Sequence, residues 1–310
     1  MKHPAFPAAL LLALALHALT AVAAPTLEIA AAAPLAAAPL LPLPEGALPH
    51  SRTAAGRDIP RGFPSVIALA WLAEPTDRYA HGVLGDAIEA GALNVTLRAG
   101  TTLTYRLPPG EVFEDLVPRI VSLMADGHEQ VVVVRSLLDK GASLAVFHVM
   151  MGRLEMMAAS EPIGSPNRWL NPIGAADVDG DGKPEIIAVL TPHRDGVLAV
   201  YGIAGDRLVE KGRIGSFSTH RIGTTEIGLS ALADIDRDGI MDIVLPTADR
   251  RTLKVVTFRG GRFRELAAFA LPARAEGDFR QLPDGKDIPR GFPSVIVVPL
   301  EDGRFAILRW

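Results

Sequence analysis

The sequence predicts an all-β protein assembled from repeated four-stranded units, and two observations carry that expectation. First, Asp177-Val-Asp-Gly-Asp-Gly-Lys-Pro-Glu-Ile186 and Asp234-Ile-Asp-Arg-Asp-Gly-Ile-Met-Asp-Ile243 lie 57 residues apart in equivalent settings. Second, short apolar runs bounded by proline and glycine recur on both sides of these loops, and such runs read as buried strands. A strand, an acidic loop and a strand therefore return at a fixed period, as in a repeat protein.

Along the chain, the first element is an export signal. Residues 1–23 combine Lys2 and His3 with an apolar stretch from Ala8 through Leu16 and an Ala21-Val-Ala23 cleavage pattern. An uncleaved membrane anchor is the competing interpretation, weakened by His17 and by the small residues at the end of the stretch. The expectation is a periplasmic or extracellular protein with no stable membrane span after signal cleavage. The chain has no cysteine, so disulfides do not stabilise it and a metal is free to take that role. Residues 24–55 are rich in alanine and proline and predict an extended tether, leaving 56–310 for one sizeable domain.

Within 56–310 the repeats are counted from the acidic loops. Each loop sets carboxylates at positions 1, 3, 5 and 9, with glycine at position 6. Alternate carboxylates on a tightly curling loop converge, and such a cluster is tolerable around a hard cation. The candidate ligands are Asp177, Asp179, Asp181 and Glu185, then Asp234, Asp236, Asp238 and Asp242, with the carbonyls of Lys183 and Ile240 at position 7. A helical EF-hand is excluded, because position 12 is Ala188 in one loop and Leu245 in the other. A degenerate copy runs from Ser122 to Gln130 and keeps one carboxylate, Asp126. Position 9 then falls at 130, 185 and 242, in steps of 55 and 57. A decapeptide at 58–67 recurs unchanged at 287–296, which extends the count to five units with Ser65 and Ser294 at position 9.

Each unit reads as four strands. Unit two offers 117–124, 130–137, 143–150 and 153–159. Unit three, within 171–228, offers 173–178, 185–191, 196–203 and 207–214. Unit four, whose repeat is seen best at 229–285, offers 227–235, 242–247, 252–258 and 262–270. Asp195-Gly196, Gly205-Asp206 and Gly260-Gly261 supply the positive-φ residues that hairpins require. Four strands per unit at this period predict a single β-propeller of about five blades, with four or six as the alternatives. The last unit needs a strand from the N-terminal region to complete its sheet, which would close the ring.

Ile173-Gly174-Ala-Ala-Asp-Val-Asp-Gly-Asp-Gly-Lys-Pro-Glu-Ile-Ile187 and its counterpart from Ile227 to Val244 resemble the FG-GAP/VCBS-type repeats, the class that includes the integrin α-subunit head. The resemblance implies a propeller whose acidic loops bind Ca2+ at two structural sites. The chain departs from that pattern at the Phe-Gly step, which reads Ile-Gly, and at Gly-Ala-Pro, where Val189-Leu-Thr-Pro192 stands.

A calcium held in this way acts as a clip, since hard Ca2+ activates water poorly. Function is therefore expected on the opposite face, where the loops joining strands 2–3 and 4–1 emerge. Those loops carry Arg78 and His81, Arg168 and Trp169, His193 and Arg194, His220 and Arg221, and Arg250. A cationic, aromatic-containing face suits an anionic polysaccharide or an acidic protein patch. The net charge of −4 argues against nucleic acid. The alternative is a propeller-scaffold lyase or hydrolase acting on polysaccharide, using His81 with Asp77 or Asp86, or His220 with Glu226. No nucleophile elbow, zinc spacing or phosphate loop accompanies those pairs.

Overall fold

A computed structural model describes residues 24–31, 41–55, 65–124, 127–281 and 295–310. The export signal expected at 1–23 and most of both decapeptides lie outside the described residues. Among those residues the regular elements are strands and one 3-10 turn at Arg259–Gly261. Among the described residues no helix is long and apolar enough to cross a membrane.

The strands pair in five successive antiparallel groups. The chain enters with β1 (Thr26–Ala30). Unit one follows as β2 (Ala54–Ala55), β3 (Ile67–Thr76), β4 (Glu89–Leu97) and β5 (Thr102–Arg106), and β6 (Glu111–Phe113) leads out of it. Unit two is β7 (Arg119–Val121), β8 (Gln130–Leu137), β9 (Gly141–Met150) and β10 (Arg153–Ala159). Unit three is β11 (Leu170–Ala176), β12 (Glu185–Leu190), β13 (Val197–Ala204) and β14 (Arg207–Ile214). Unit four is β15 (Ala231–Ala233), β16 (Asp242–Pro246), β17 (Thr252–Thr257) and β18 (Arg264–Ala270). Unit five is β19 (Arg280–Gln281), β20 (Val295–Pro299) and β21 (Phe305–Arg309), with β1 added to the free side of β21.

That last pairing corrects the expectation of a tether over 24–55. Thr26–Ala30 contains no proline, keeps all its amide donors and runs antiparallel to β21 from Thr26↔Arg309 to Ala30↔Phe305. The same stretch also gives β2, and it buries Leu48 in the core. Units one to three are further joined into one hydrogen-bonded sheet. Strand β6 pairs with both β4 and β8, and Ala159 pairs with Arg207 between β10 and β14.

The core lies between consecutive sheets. Val131 and Val133 of β8 pack with Leu72 and Leu93 of unit one, while Val132 and Val134 pack with Leu170 and Ile186 of unit three. In β12, Ile187 and Val189 turn the other way, toward Ile243 and Leu245 of unit four. Val244 and Val255 then meet Ile296 and Leu308 of unit five. Both faces of each middle sheet are buried, which is why these strands read as unbroken apolar runs rather than alternating ones. Units five and one are linked by an ion pair, Arg52 Nη1 to Asp278 Oδ2 at 2.5 Å.

Turn chemistry fixes the hairpins. Gly196 has φ +60°, and a Cβ there would stand 1.7 Å from the Phe217 carbonyl oxygen, so only glycine fits.

Candidate functional site

Both acidic loops are 1–2 connections, between β11 and β12 and between β15 and β16. Their carboxylates first shape the loops. Asp177 accepts the Gly180 amide (2.7 Å) and the Gly182 amide (2.9 Å), Asp179 accepts that of Asp181, and Asp181 accepts that of Lys183. The second loop repeats most of this pattern, with Gly239 donating to Asp234, Asp238 to Asp236 and Ile240 to Asp238. At position 9, Glu185 accepts the Val178 amide at 3.1 Å and Asp242 accepts the Ile235 amide at 3.0 Å. Gln130 makes the same bond to Leu123 at 2.7 Å, so the degenerate copy keeps the loop's anchor with a neutral side chain.

Asp177, Asp179 and Glu185 each bring an oxygen within 4.8 Å of the others, and so do Asp234, Asp236 and Asp242. The sequence placed Asp181 and Asp238 among the ligands as well, but both fall outside these trios. The two trios differ in how they are satisfied. In the second loop, Asp234 Oδ1 is buried with no hydrogen-bond partner, which fits a site built for a cation. Burial, and then Asp236 nearby, push Asp242 up to about 6, the cost of crowding carboxylates that a divalent ion would neutralise. In the first loop, Lys211 of β14 reaches into the trio. Its ammonium bonds Asp179, Glu185 at 2.8 Å and Asp181 at 3.4 Å.

At the other ends of the strands, 2–3 and 4–1 loops from several units come together. His81 Nδ1 bonds Glu114 Oε1, and Ser136 Oγ donates to Glu114 Oε2. The Trp169 indole N–H donates to the Glu114 carbonyl at 2.8 Å. Trp169 stacks edge-on against His220 at 4.9 Å, and His220 against His193 at 6.3 Å. Tyr79 lies 5.9 Å from His81 and its hydroxyl accepts the Asn167 amide at 2.7 Å. The structure thus gathers His81, Trp169, His193 and His220 into one partly buried network.

The partners differ from those expected. His81 pairs with Glu114 rather than Asp77 or Asp86, and Asp86 caps the Ile88 amide instead. His220 Nε2 bonds the Thr224 carbonyl at 3.0 Å rather than Glu226. Trp169 is fully buried, so it packs and cannot offer its ring face to a ligand. Arg78 is committed to the Glu111 carbonyl, and Arg250 reaches the Ala275 carbonyl. Arg168 donates to the Asn167 carbonyl, and Arg221 pairs with Glu276 at 3.0 Å while remaining half exposed. Arg194 is exposed.

The electrostatics follow from burial. Burial, with His220 and His81 adding to it, lowers His193 to about 4, and burial also lowers His220. The Nδ1 atoms of both rings are buried without partners, as suits neutral imidazoles. Burial and the neighbouring Glu114 push Glu89 up to about 10, and burial raises Glu114 as well. Sequence reasoning missed Glu89, Glu114 and Ser136. Glu114-Asp115, a carboxylate pair in a 4–1 connection, was the one available signal.

A family model described as an FG-GAP-like repeat matches residues 177–245, from the first acidic loop through β16. No curated protein matches the chain.

Proposed function

We propose, from the premise that residues 177–245 are an FG-GAP-like repeat, that the chain is an exported, calcium-stabilised propeller of five blades that binds an anionic polysaccharide. The observation that carries this reading is a division between the two ends of the sheets. The acidic 1–2 loops lie at one end, and the 2–3 and 4–1 loops bearing Arg168, Arg194 and Arg221 lie at the other. Asp234, Asp236 and Asp242 would hold the ion, which supplies charge neutralisation and a clip between β15 and β16. Apolar clusters between successive sheets and the Arg52–Asp278 pair support closure of the ring. The signal-like N-terminus and the absence of cysteine support export.

The second reading, an acid–base enzyme, draws on the His81–Glu114 pair. Ser136 donates to the carboxylate of that pair and not to the imidazole, so the pair lacks the hydroxyl–histidine hydrogen bond of a histidine-activated nucleophile. Glu114 is fully buried, and its bonds to His81, Ser136 and Trp169 make it a hub between loops. Retention on a polyuronate column tests the binding reading. The triple variant Arg168→Ala/Arg194→Ala/Arg221→Ala is expected to elute at clearly lower salt than the parent, with an unchanged melting temperature. Equal elution of the two proteins rules out this face as the anion-binding surface.

A further inference from the structure

The two acidic loops are not equivalent, and the difference comes from the outermost strands. Units three and four share a register: Ile186 pairs with Tyr201 and Ile243 with Val256, then Tyr201 with Glu210 and Val256 with Glu265. In both units the next outer-strand residue is a bulge, because pairing resumes at Val200↔Gly212 and Val255↔Ala267. The bulged residue is Lys211 in unit three and Leu266 in unit four. The residue that the stem passes on the neighbouring strand is Gly202, register partner of Val209; the equivalent position in unit four is Thr257, register partner of Arg264. The glycine makes room for the lysine stem, since a Cβ at Gly202 would lie 3.2 Å from Lys211 Cδ.

The ammonium so delivered contacts Asp179 and Glu185, two members of the first trio, and Asp181 beside them. In the second loop Leu266 has no charge to offer. Arg259 reaches only the rim there, at Asp238 Oδ2 (2.5 Å), and Asp234 Oδ1 is left without a partner. Among the described residues, the first acidic trio has a positive charge built into the chain, whereas in the second loop the cation pairs with Asp238 outside the trio.

We propose that Lys211 is a tethered counter-ion that fills the first acidic loop, so that the chain binds calcium at the second loop and not at the first. An ammonium and a divalent ion cannot share the same carboxylate oxygens, and a metal must first displace a lysine held by three carboxylates. The unit-three clip is thus permanent and independent of metal, whereas the unit-four clip is conditional on it. The inference rests on the calcium reading given above.

Calorimetric titration of the full chain with calcium decides it. The parent is expected to bind one ion, and Asp236→Ala to bind none. Lys211→Met keeps the stem over Gly202 without the charge and is expected to bind two ions. Lys211→Gln is the second neutral variant, with the same expectation, and Lys211→Arg should remain at one. Two ions of similar affinity in the parent, or one ion in both neutral variants, overturns the counter-ion role while leaving calcium binding intact. Absence of calcium binding in the parent and in every variant overturns the calcium reading and this inference together.

Discussion

Glu89 is buried with Glu114 and Asp115 as charged neighbours, and its carboxyl is pushed up to about 10, mainly by burial. The folded protein therefore keeps Glu89 protonated across a range in which the unfolded chain ionises it. A raised folded-state value for an acid gives stability that is complete below the ordinary carboxylate range and is lost as pH rises toward the folded value. Glu89→Gln, which cannot ionise, is expected to stabilise the protein by roughly 1–3 kcal/mol at pH 8. The gain should shrink toward zero near pH 4, and melting curves across that range check it. A gain that does not change with pH contradicts the buried-acid account. Glu89 was hidden in the sequence because it sits at the end of an insertion whose histidine drew attention to Asp77 and Asp86. The tertiary fold, not local spacing, brings Glu114 to His81.

The acidic loops show what one element can retain when its chemistry changes. Gln130 holds the position-2 amide just as Glu185 and Asp242 do, so the anchoring bond does not need a charge. Asp242→Asn can keep the bond to Ile235 while removing one charge from the Asp234, Asp236 and Asp242 trio. Its melting temperature in chelator is expected to equal or exceed that of the parent, because like charges no longer crowd. Its calcium-dependent rise should disappear, and parallel melts with and without the ion check both halves. The middle strands of each unit were legible because burial on two faces gives continuous apolar runs: 130–137 was expected and found, and 242–247 became Asp242–Pro246. The first strands of units two and four were overextended, whereas that of unit three, expected at 173–178, runs Leu170–Ala176. The stretch expected at 227–235 is a ladder only at Ala231–Ala233, and the Gly228 amide is taken by Asp278. Apolar residues there pack near neighbouring units without pairing along their whole length, and hydrophobicity alone cannot separate the two.

For the whole molecule, stability resides in apolar layers between sheets, with the loops at the two ends left to other tasks. The proline count of 24–55 obscured β1, because composition averaged over the stretch hid five proline-free residues able to cover the edge of β21. The period of the acidic loops revealed the units, whereas the pairing of Lys211 with the first loop depended on a bulge that no sequence pattern marks. If the second loop is a conditional clip, calcium binds the folded state alone and its free energy adds to folding. Thermal unfolding in calcium and in chelator is the most direct measurement. A hundredfold excess over Kd should add about 2.7 kcal/mol, a rise of several degrees for a domain of this size. The Asp179→Ala/Asp236→Ala variant should show no difference between the two conditions. A parent protein whose melting temperature is the same in calcium and in chelator would contradict the account.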